Sequence, residues 1–151
     1  MNNMNSQNQT EILLIEDNPR DAELTLHALR KRNLANNVVH LVDGAAALDY
    51  LFATGAHAGR DVNHQPRVML LDLKLPKVDG LEVLRRVKAD ARLKNLPIVV
   101  LTSSREEQDV VTSYRLGVNS YIVKPVDWEN FSKAVADIGC YWLLLNEQPP
   151  A

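Results

Sequence analysis

The sequence predicts an α/β domain, a doubly wound, five-stranded parallel sheet with five helices. Three observations lead there. Short apolar runs recur along the chain, and stretches with helical spacing of apolar residues lie between them. The runs are continuous rather than alternating, as in strands covered on both faces. Strands that alternate with helices imply βαβ units, right-handed crossovers and three layers.

Residues 1–10, MNNMNSQNQT, are polar without periodicity and read as a loose tail. EILLIE (11–16) is the first strand. Asn18-Pro19 opens the first helix, with Leu24, Leu26 and Leu29 behind it. NVVHLV (37–42) is the second strand and 44–53 the second helix. Thr54 to Pro66 is longer than most connections of its kind, so it is expected to be mobile or to serve recognition. VMLLD (68–72) is the third strand, 80–89 a helix, PIVVLT (97–102) the fourth strand, and 106–116 another helix. SYIV (120–123) is the fifth strand, and a last helix is expected over 127–145. The domain therefore spans 11–145, between the N-terminal tail and a short C-terminal tail at 146–151.

The totals restrict function. With 151 residues, 46% of them hydrophobic, the chain can build one core. A net charge of -2, from 17 basic and 19 acidic side chains, argues against broad nucleic-acid binding. The single cysteine, Cys140, rules out an internal disulfide and fits a cytoplasmic setting. No apolar stretch reaches transmembrane length, so no membrane association is expected.

In VMLLDLKLPKVDG (68–80) a single carboxylate, Asp72, closes an apolar run. Burying an unpaired carboxylate costs on the order of several kcal/mol, so the residue needs a reason to be there. Open parallel sheets bind ligands at the carboxyl ends of their strands. Those ends carry Glu16-Asp17, Asp72, Thr102-Ser103 and Lys124-Pro125. Clustered carboxylates repel one another unless a cation lies between them, and Mg²⁺ suits oxygen ligands. Metal, lysine and hydroxyl together suit a phosphoryl group, with one carboxylate attacking phosphorus. Asp72 is the best nucleophile candidate because it stands alone on a central strand. Singly, these residues have bland explanations: an acid after a strand often caps the next helix, and a lysine before proline is usually solvated. At the ends of four strands together, coincidence is a poor explanation.

At these residues the chain resembles the receiver domains of two-component response regulators. The likeness spans residues 11 to 145. It rests on ILLIEDN (12–18), LLDLKLPKVDG (70–80), VVLTSS (99–104) and SYIVKP (120–125), with Glu16 in place of the first Asp of the acidic pair. The resemblance implies a receiver, or flavodoxin-like, fold in a signalling phosphoprotein that assists its own phosphorylation and dephosphorylation. It implies Asp72 as phosphoacceptor, and Mg²⁺ on Glu16, Asp17, Asp72 and the backbone carbonyl of Lys74. Thr102 would follow the phosphoryl group, Lys124 would pair with Asp72 and then with a phosphate oxygen, and Tyr121 would be the switching aromatic. The Lys124–Pro125 bond is expected to be cis. Lys74 departs from the commonest small or polar choices, and a cation there would screen the phosphoryl group or hinder an attacking water.

Within the family, the 54–66 loop, LLDLKLP and the YWLLLN ending resemble the small stand-alone regulators that serve bacterial phytochromes. The resemblance implies a sensor histidine kinase as donor, a bacterial phytochrome in particular. With no output domain in the sequence, the receiver is expected to act by docking onto an unidentified downstream protein. Two other classes fit less well. An aspartate-nucleophile phosphatase needs a second Asp two residues after the nucleophile, where this chain has Lys74. A phosphorylation-independent protein-binding module is disfavoured by the intact set of acids, hydroxyl and lysine.

Two weaker signals have ordinary readings. His57, Asp61 and His64 match no standard zinc spacing. Cys140 lies among apolar neighbours and reads as packing. The last helix is expected to turn Phe131, Val135, Ile138, Trp142 and Leu145 to the core. Cys140, Tyr141, Leu143 and Leu144 fall off that stripe, and a helix end apolar nearly all round is usually covered on a second side. A homodimer through the last helix and the fifth strand is therefore expected, anchored by Tyr141 and Leu144.

Overall fold

The computed structural model describes residues 11–34, 37–103, 112–118 and 120–145, without the side chains of Trp142 and Leu145. Five parallel strands form one sheet in the order β2-β1-β3-β4-β5. They are β1 (Ile12–Ile15), β2 (Val38–Leu41), β3 (Val68–Asp72), β4 (Ile98–Thr102) and β5 (Ser120–Val123). The helices are α1 (Pro19–Arg30), α2 (Gly44–Phe52), α3 (Gly80–Ala89), α4, described over 112–115, and α5 (Trp128–Asp137). This is the five-stranded, five-helix architecture the sequence implies.

Alternate side chains of the central strands point to opposite faces. Leu13, Ile15, Met69, Leu71 and Val100 pack under α2 and α3. Ile12, Leu14, Leu70, Val99 and Leu101 pack on the other face with Ala22 and Leu29 of α1 and Phe131 and Val135 of α5. Every residue of β1, β3 and β4 is buried, which is why these runs lack alternation. The edges differ: β2 is half-buried throughout, and Tyr121 of β5 is exposed.

Helix starts are set by side-chain caps. Asn18 accepts from the backbone N–H groups of Arg20 and Asp21, at 2.9 and 3.0 Å. Asp43, Asp79 and Asp127 cap α2, α3 and α5 in the same way. The buried stripe of α1 runs through Ala22, Thr25 and Leu29, which leaves Leu24 exposed.

The expected last helix over 127–145 is also corrected. It ends at Asp137, and Tyr141–Leu145 forms a separate 3-10 segment. Gly139, at φ +83, supplies the left-handed turn. Gly139 N–H bonds the Ala136 carbonyl (3.1 Å) and Cys140 N–H the Val135 carbonyl (2.8 Å), a Schellman ending. The turn re-aims the 3-10 segment. Cys140 and Leu143, expected off the inward stripe, are buried in the core, while Tyr141 is exposed. The side chains of Trp142 and Leu145 lie outside the described residues, as does most of the expected 106–116 helix.

The 54–66 loop is tied to α2. Arg60 stacks over the Tyr50 ring at 3.6 Å, and its guanidinium donates to the Tyr50 carbonyl. Gln65 Nε2 donates to the Leu51 carbonyl at 2.9 Å. His57 meets the edge of the same Tyr50 ring, and His64 pairs with Asp61 at the surface.

Candidate functional site

The sheet order reverses direction between β1 and β3, so their carboxyl ends open onto a shared crevice. β1 delivers Glu16 and Asp17 there, and β3 delivers Asp72. One oxygen from each of the three lies within 4.8 Å of the others. Glu16 and Asp72 are buried and Asp17 is exposed. Because Asn18 caps α1, Asp17 is not needed for that purpose. Among the described residues this is the one group of three metal-ligating side chains found.

Backbone geometry holds Asp72 in place. Its Oδ1 accepts from Lys74 N–H at 3.0 Å, and the Gly80 N–H bonds the Leu73 carbonyl at 2.9 Å. A Cβ on Gly80 would stand 2.1 Å from the Asp72 carbonyl oxygen, so only glycine lets α3 start this close to the strand end.

From β5 comes Lys124, whose side chain is 9% exposed. Its peptide bond to Pro125 is cis, as expected. Nζ donates to Asp72 Oδ2 at 2.7 Å and to Asp21 Oδ2 at 3.2 Å. It also lies 2.6 Å from Glu16 Oε1 as an ion pair, yet that oxygen is buried and has no properly directed hydrogen bond. Glu16 is held by Asn18 N–H on Oε2, at 3.2 Å, and by His40 Nε2 against its carbonyl, at 2.8 Å.

The electrostatics record the crowding. Burial, followed by the neighbouring Asp72, pushes the Glu16 carboxyl up to about 7, and the Lys124 contact only partly offsets this. For Lys124, burial works to lower the ammonium pKa, but the bond to Asp72 and the close negative charges of Asp72 and Glu16 more than reverse it and the value is raised. The donor set fits Mg²⁺: hard oxygens only, one of them a buried acceptor without a directed partner.

Thr102 ends β4, buried, and its carbonyl accepts from Lys124 N–H at 2.8 Å. Tyr121 meets Tyr114 edge to face, with ring centroids 5.8 Å apart, beside a groove of about 420 Å³ that Lys133 and Asp137 also line. Tyr141 and Leu144 stand elsewhere, with Trp128 around a groove of about 790 Å³. Asp21 was missed in the sequence. It reads as an ordinary first-turn acid of α1, and only the topology brings it to Lys124, 103 residues away.

Comparison with known proteins gives the geometry a context. The response regulator receiver domain model matches residues 12–136. The chain is 44% identical to a probable methanogenesis regulatory protein, FilR2, of Methanothrix harundinacea, over 91% of this chain and 86% of that one. It is 39% identical to response regulator Rcp1 of Synechocystis sp., over 87% and 88% of the two chains. The solved bacteriophytochrome response regulator AtBRR superposes with a TM-score of 0.82 at 60% identity, covering 91% of this chain and 98% of that one. The Mn²⁺-bound form of Rcp1 superposes with a TM-score of 0.73 at 38% identity, covering 94% and 99%.

Proposed function

The chain belongs to the response regulator receiver domain family, and from that membership we propose that it is a phosphorylation-driven switch with Asp72 as phosphoacceptor. One observation carries the reading: Asp72 Oδ2 is bonded to Lys124 Nζ at 2.7 Å beside two further carboxylates at the sheet edge.

The donor is a phosphohistidine on a sensor histidine kinase. An Asp72 oxygen forms the new P–O bond as the P–N bond to the kinase imidazole breaks. Lys124 is placed to shift its N–H donation from the carboxylate to a phosphoryl oxygen. Mg²⁺ on Glu16, Asp17, Asp72 and the Lys74 carbonyl would offset the charge on the phosphoryl oxygens. Thr102, buried one strand away, offers a hydroxyl to that group, and Tyr121 responds to its movement from the exposed edge of β5. Lys74 is exposed two residues past Asp72, where a cation would screen the phosphoryl group or hinder an attacking water.

Likeness to AtBRR, a bacteriophytochrome response regulator, supports a bacterial phytochrome as the kinase, and family membership supports the cytoplasm as the setting. Among the described residues, no helix is long and apolar enough to cross a membrane. We also propose a homodimer through α5, the following 3-10 segment and β5. Tyr141, 58% exposed, and the half-buried Leu144 are its anchors, and the signal passes on through protein contacts. Phosphotransfer from a bacterial phytochrome with Mg²⁺ present, followed by intact mass, tests the reading. One labile adduct is expected. No adduct from any kinase or from acetyl phosphate would favour a phosphorylation-independent binding module.

A further inference from the structure

Lys124 makes one contact that phosphoacceptance does not require. An ammonium has three N–H donors. In this structure the ammonium donates to Asp72 at 2.7 Å and to Asp21 at 3.2 Å, and it lies 2.6 Å from Glu16 as an ion pair. The first two acids end strands. Asp21 belongs to the first turn of α1, where Asn18 already provides the cap through the N–H groups of Arg20 and Asp21. The Asp21 side chain is nevertheless turned to Lys124. It is also the wettest of the group, 30% exposed against 7% for Asp72 and 0% for Glu16.

That placement makes Asp21 the acceptor at the solvent side of the site, with the longest of the three contacts. A phosphoryl group on Asp72 must take hydrogen bonds from Lys124 and carries negative charge of its own. It therefore competes with the nearby carboxylates for the same ammonium and is repelled by them. Resting on the phosphoacceptor reading above, we propose that Asp21 is a positioning residue acting through Lys124, whose carboxylate competes with the phosphoryl group for the ammonium and so limits how tightly the site holds it. The ordinary alternative is a helix-dipole role at the start of α1.

The test is a calorimetric titration with beryllofluoride, a phosphoryl mimic, at saturating Mg²⁺. Asp21→Asn and Asp21→Ala should each bind the mimic about three- to tenfold more tightly than wild type, the scale of one net hydrogen bond in a partly solvated site. Glu23→Gln removes the same charge from the same helix, at an exposed site paired with Arg30, and should leave the affinity unchanged. A lowered melting midpoint with wild-type affinity in both Asp21 variants would assign the residue to the helix dipole and overturn the proposal. Equal tightening in Glu23→Gln would reduce the effect to general charge and overturn it too. If the wild type and every variant fail to take the mimic, the phosphoacceptor reading fails, and this inference with it.

Discussion

The Lys124 ammonium stands 2.7 Å from Asp72 Oδ2, joining the ends of two strands that are not neighbours, since β4 lies between β3 and β5. The contact places one cation among four carboxylates, those of Glu16, Asp17, Asp21 and Asp72. The imbalance favours a metal ion and makes the metal-free cluster electrostatically costly.

Asp72→Asn should therefore stabilise the metal-free domain, by about 1 kcal/mol at neutral pH, because Asp72 helps raise the Glu16 pKa. Thermal unfolding in chelator provides the measurement. A clear loss of stability would mean that the Lys124 pairing outweighs the repulsion.

The raised Glu16 pKa sets a pH dependence. Between the ordinary value of 4.5 and about 7, the unfolded chain has released a proton that the folded chain retains. The metal-free fold should thus lose stability as pH rises through this window, by about 1 to 3 kcal/mol, and then level off. Denaturant melts across the range should show the slope in wild type and lose it in Glu16→Gln.

Asp17→Ala should weaken Mg²⁺ binding at least about tenfold, since it removes both a ligand and a charge. Calorimetry is the suitable probe. Unchanged affinity would move the metal elsewhere.

Most of the site was legible because its chemistry sits at strand ends. Once VMLLD and IVVLT are read as buried parallel strands, Asp72 and Thr102 fall on one rim without further information. Asp21 was not legible, because one acid in the first turn of a helix has a sufficient local explanation. The end of α5 departs from its sequence reading for a different reason. Periodicity carries the apolar stripe through Gly139, although a glycine followed by apolar residues is also how a Schellman ending is written. That turn buries Cys140 and Leu143, which a continuous helix would have turned outward.

Thr102→Ala should still accept a phosphoryl group but lose the change around Tyr121. The Tyr114–Tyr121 ring contact gives an NMR signal for that change. A full response in the variant would remove Thr102 from the switch.

Leu144→Asp should reduce the mass seen by light scattering to that of a monomer while circular dichroism stays native. The half-buried Leu144 and exposed Tyr141 share the groove with Trp128. A wild type that is already monomeric at roughly tens of micromolar would end the dimer proposal.

The phosphoacceptor assignment is tested most directly by intact mass spectrometry after incubation with acetyl phosphate and Mg²⁺, comparing wild type with Asp72→Asn. The account predicts one labile phosphoryl adduct on the wild type, none in chelator, and none on Asp72→Asn. An adduct on Asp72→Asn at the wild-type rate would contradict it.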